Sequence, residues 1–142
     1  MTRDALQIYL GDHLAGAAAG VEIARRIADG YAGTGDESEL RQLASDVEAD
    51  RQSLVDIREQ LDMGRAPLEE VVAWVGEKAT HIKLSDAVTG DPHLTRMLEL
   101  ETLDTGIAGK LALWRALGVA WPSVGTSRRR VEALRGCRRP PA

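Results

Sequence analysis

Six ionisable residues, His13, Asp50, Arg51, Lys78, Glu101 and Asp104, interrupt apolar helical stripes at comparable heights along their segments. A charge inside a buried stripe is costly unless it is paired, coordinated or hydrogen bonded, so the core asks for chemistry at these positions. Two chemistries fit. In the first, Glu101 and Asp104, at i and i+3, share one helix face. With His13 and Asp50 they form a four-ligand set for iron, manganese or zinc. In the second, Arg51 and Lys78 neutralise Asp50, Glu101 and Asp104, and His13 hydrogen bonds to a carboxylate, giving a buried charge layer. The chain contains no Glu-x-x-His, the pattern of dimetal bundles, and the two cations would repel a metal ion. The salt-bridge layer is therefore the preferred expectation. It requires no cofactor, and a metal at His13, Asp50, Glu101 and Asp104 is the alternative.

Other reactive groups give less. Glu77 and His81 stand at i, i+4 beside Trp74, a spacing that suits a surface hydrogen bond as well as a metal. His93 opens a helix in Asp-Pro-His-Leu, and a three-histidine site of His13, His81 and His93 would need different faces and heights to converge. Arginines beside Cys137 would lower its thiol pKa, but no structured base accompanies it. No glycine-rich phosphate loop follows a strand, because no segment reads as a strand. The expectation is a protein without catalysis.

The elements that must place these residues read as four helices. The first runs from about Arg3 to Asp29 with Leu6, Leu10, Leu14, Ala17, Val21, Ala24 and Ala28 on one face. Residues 30–36 form a loop. The second starts after Asp36 or Ser38, presents Leu40, Leu43, Val47, Leu54, Ile57 and Leu61, and stops at Gly64. Pro67 opens a third with Leu68, Val71, Val72, Val75, Ala79 and Ile82 inward. A fourth follows Gly90-Asp91-Pro92, carries Met97, Leu100, Ile107, Leu111 and Trp114, and ends near Gly118. Links this short make neighbours antiparallel. The fold class expected is all-α, an antiparallel up-down-up-down four-helix bundle over residues 1–118 without a long crossover.

Composition agrees with one globular domain: 142 residues, 44% apolar, 28% charged, no Phe. Residues 1–127 hold 12 Lys/Arg against 21 Asp/Glu, a balance of −9, whereas residues 128–142 balance at +5. The body repels nucleic acid. Any polyanion contact falls to Arg128, Arg129, Arg130 and Arg135 in a basic, mostly flexible tail over 119–142. That tail has no interleaved aromatics for stacking, so contact with the acidic body is the favoured reading. No apolar run reaches membrane-span length. Met1 leads straight into Thr2-Arg3-Asp4 without a signal segment, and the single cysteine demands no oxidising compartment. The location expected is the cytoplasm. Trp74, Leu113 and Trp114 lie off the central stripes and suggest a homodimer or a protein partner.

The run Tyr9-Leu10-Gly11-Asp12-His13-Leu14-Ala15-Gly16, continuing to Val21-Glu22-Ile23-Ala24-Arg25-Arg26, resembles the opening of an uncharacterised actinobacterial family of small helical-bundle proteins loosely described as ferritin-like. Gly109-Lys110-Leu111-Ala112-Leu113-Trp114-Arg115-Ala116-Leu117 resembles that family's last long helix. With Asp50-Arg51 and Glu77-Lys78 between them, the likeness covers about residues 6–118. The resemblance implies a helical bundle and, through its label, metal binding. The missing Glu-x-x-His and the short second link depart from the ferritin-like pattern.

Overall fold

The computed structural model describes residues 2–63 and 90–120. The third expected helix, with Trp74, Glu77, Lys78 and His81, lies outside the described residues, as do Cys137 and the tail arginines. Among the described residues every regular element is a helix.

α1 (Arg3–Gly30) buries all seven residues of its expected stripe. Its start is fixed by Thr2, whose hydroxyl accepts from the Ala5 N–H at 3.2 Å, and Asp4 in the first turn complements the helix dipole. In the turn that follows, Gly33 takes φ +79°, a conformation that suits a residue without Cβ. The Gly33 N–H donates to the Glu37 carboxylate at 2.6 Å. That bond, with a second from Arg41, holds Glu37 below the usual carboxylate range.

α2 (Glu37–Gln60) begins where expected but ends before Gly64. Asp62 turns the chain at φ +51°, and the Asp62 and Met63 N–H groups return to the Glu59 and Arg58 carbonyls. Val47, Leu54 and Ile57 are buried, while Leu40, Leu43 and Leu61 pack at the margin.

α3 (Pro92–Ala120) is the fourth expected helix. Pro92 fills its first position, and the Asp91 carboxylate accepts from the His93 and Leu94 N–H groups at 2.8 and 3.4 Å. It continues past Gly118 to Ala120. Its inner face differs from the expected one. Met97 and Leu100 are 59% and 38% exposed, while Leu103, Ile107, Leu111, Leu113, Trp114 and Leu117 are buried. Leucines at 94, 98, 100 and 103 allow several helical phases, and packing against α1 selects among them. Leu113 and Trp114 are core residues, so they supply no reason for a dimer.

α1 packs against both α2 and α3. Arginines fix the register at each end. Arg3 donates to the Leu61 and Asp62 carbonyls, Arg58 donates to the Gln7 carbonyl, and Arg41 pairs with Asp29. Arg58 is buried, and loss of water lowers its pKa from the ordinary arginine value. Between α1 and α3, Arg26 pairs with the buried Glu99 at 2.9 Å. Arg96 holds the other Glu99 oxygen at 3.0 Å, donates to the Arg26 carbonyl at 3.3 Å and lies over the Tyr31 ring. This places a guanidinium at the negative end of the α1 dipole. A Cβ on Gly30 would collide with it.

Gly30→Ala should therefore gain less stability in urea denaturation than alanine's helix propensity supplies, because the Arg96 guanidinium must leave its place beside Glu99 and the Arg26 carbonyl. In an Arg96→Ala background the same change should stabilise by up to about 1 kcal/mol. Equal effects in the two backgrounds would remove the contact as the cause.

Candidate functional site

The buried charge lies elsewhere on α3 than the sequence suggests. Asp50 projects from α2 and is 4% exposed. Its Oδ1 accepts from the Trp114 indole N–H at 2.6 Å, and its Oδ2 lies 3.1 Å from Lys110 Nζ. Both partners come from α3, one helical turn apart. The Lys110 ammonium also sits 5.1 Å from the Trp114 ring centroid, a cation–π distance. A carboxylate, an ammonium and an indole thus form one compact polar junction inside an apolar core.

His13 approaches this junction from α1. It is half-buried, and its ring meets Tyr9 edge-on with centroids 4.7 Å apart. Burial first, and then the charge of Lys110, lower its pKa from the ordinary histidine value, against smaller opposing effects of Asp12 and Asp50. The neutral imidazole is therefore the favoured form near pH 7.

The remaining expected members are placed differently. Arg51 pairs with Glu48 at 3.0 Å rather than with Asp50. Glu101 and Asp104 are exposed on α3, which corrects their assignment to a buried layer. Lys78 lies outside the described residues. The alternative ligand set of His13, Asp50, Glu101 and Asp104 is not brought together. Among the described residues no three His, Cys, Asp or Glu side chains are grouped to hold a metal ion. His93 is exposed at the start of α3.

Lys110 was legible in principle. It falls three residues after Ile107 and four before Trp114, on the same face. The expected stripe was phased to Met97 and Leu100, which made Glu101 and Asp104 look internal. Glu99 was missed for the same reason.

The junction borders a cleft of about 690 Å³ lined by all three described helices. Its walls include Gly16 and Gly20 from α1 and Gly106 and Gly109 from α3, with Val47 and Asp50 from α2. A second cleft of about 470 Å³ adjoins Arg26, Arg96 and Glu99. Chemically, Asp50 is a poor general base and a poor metal ligand, because both oxygens already face donors within the protein. Among the described residues no helix is long and apolar enough to cross a membrane.

Compared with known proteins, the chain matches no family model, no curated protein and no solved structure.

Removing one partner of a buried ion pair costs about 3–5 kcal/mol, whereas exposed charges contribute about 0–1 kcal/mol. Asp50→Ala should therefore lower the unfolding free energy by about 3 kcal/mol or more, and Asp104→Ala by less than about 1 kcal/mol. Equal losses in urea denaturation would contradict this placement of the buried charge.

Proposed function

We propose that this chain is a non-catalytic four-helix bundle serving as a structural or protein-interaction module, of the kind suggested by its resemblance to the actinobacterial family. The antiparallel up-down-up-down arrangement draws support from register. The start of α1 meets the end of α2 through Arg3, and the end of α1 meets the start of α3 through Arg26 and Arg96. α2 and α3 are thus each reversed relative to α1, as the first, second and fourth helices of an up-down-up-down bundle are. α2 has 24 residues, a length of about 36 Å at 1.5 Å per residue. The third expected helix, opened by Pro67 with its stripe from Leu68 to Ile82, supplies the remaining member of the proposed bundle.

The observation that carries the non-catalytic reading is the occupation of Asp50 by Trp114 and Lys110. The alternative, a metal-binding protein, needs Asp50 to release both and needs Glu101 and Asp104 to turn inward. Elemental analysis of protein purified without a histidine tag separates the two. Iron, manganese and zinc should be well below one equivalent, and a stoichiometric metal lost in Asp50→Asn would overturn the reading.

Partner contact is assigned to α3, where Leu94, Met97 and Leu100 expose apolar surface within two turns. Three such side chains at i, i+3 and i+6 on one helix are a more specific signal than scattered apolar residues. A second copy is the occupant proposed. Sedimentation at high micromolar concentration should show a dimer that Met97→Glu dissociates, and a wild-type monomer at that concentration would refute the proposal.

A further inference from the structure

The groups around His13 come from all three described helices: Asp12 from α1, Asp50 from α2 and Lys110 from α3. His13, Asp50 and Lys110 also line the same cleft, so a proton reaching the imidazole changes the charge balance beside the buried ion pair. We propose that His13 is a proton-sensitive latch on the Asp50–Lys110–Trp114 junction. With the imidazole neutral, Asp50 is left to the ammonium and the indole. With the imidazolium formed, a second cation competes for the same carboxylate and repels Lys110, which loosens the hold of α2 on α3.

Two features make this site responsive. His13 is half-buried rather than sealed, so protons reach it from solvent. Its edge-on contact with Tyr9 limits the directions in which the ring can turn away. His13, Asp50, Lys110 and Trp114 all lie on the three described helices.

The direction follows from linkage. The folded-state pKa lies below the ordinary value of 6.5, so around that pH the unfolded chain binds more protons than the folded one. The stability contribution is fully present above pH 6.5, falls as the pH drops from there through the folded-state pKa, and levels off below it. One such group changes the unfolding equilibrium by at most about tenfold per pH unit.

The test uses the full chain. The Trp114 indole N–H resonance, assigned with Trp114→Phe, is followed by ¹H–¹⁵N correlation spectra from pH 7.5 to 5, with urea midpoints measured at each pH. The resonance should shift with a midpoint below 6.5, and the urea midpoint should fall over the same window. Both responses should disappear in His13→Gln and His13→Asn, each checked for native helicity at pH 7.5. A Trp114 resonance that stays fixed while His13 titrates would overturn the proposal. So would the same shift persisting in folded His13 variants.

Discussion

A carboxylate removed from water must find its compensation inside the protein, and Asp50 finds it on a helix that does not lie directly against its own. α1 is the common neighbour of α2 and α3, while Asp50 reaches across to Lys110 and Trp114. Apolar packing alone is tolerant of sliding, because one leucine substitutes for another with a small penalty. A buried carboxylate is not tolerant. A one-residue slip of α3 would put Gly109 or Leu111 where the ammonium stands, leaving the buried carboxylate without its cation at a cost of several kcal/mol. The net contribution of such a pair to stability is small, and its physical effect is to define one arrangement of the helices.

The ends of the helices are held by related means. Arginine side chains from Arg3, Arg58 and Arg96 all reach backbone carbonyls on another segment. Guanidinium groups suit this because they carry several donors in a rigid fork and are more weakly hydrated than ammonium. Glu99, buried like Asp50, is held between Arg26 and Arg96. Among the described residues, carboxylates are thus buried at two heights, each beside cations, with apolar side chains between them. The same arrangement makes the interior carboxylates poor ligands for an added ion.

The cleft beside the junction is walled on two helices by glycine. Helical glycine is disfavoured by about 1 kcal/mol against alanine, and among the described residues a Cβ at Gly106 or Gly109 would meet nothing within 4 Å. Close packing among the described residues therefore does not account for glycine at those two positions. A low, smooth helix surface is what close approach by another backbone requires, which agrees with the proposed four-helix arrangement.

The sequence by itself determined the described helices: the loop over residues 30–36, the Gly90-Asp91-Pro92 turn before the last of them, and a first stripe so regular that each of its members is buried. Such features depend on neighbours within one or two turns, which is why local spacing reveals them. It also singled out Asp50, which is buried, because a charge flanked by Val47, Leu54 and Ile57 leaves little choice of face. Only tertiary structure decided the partners. On α3, apolar residues occur at too many positions for one phase to stand out, and contact with α1 turned Lys110 inward while leaving Glu101, Asp104, Met97 and Leu100 outside. Helical periodicity fixes angles only within a segment. The pairing of charges between segments depends on their relative rotation and height, which is set by the whole core at once.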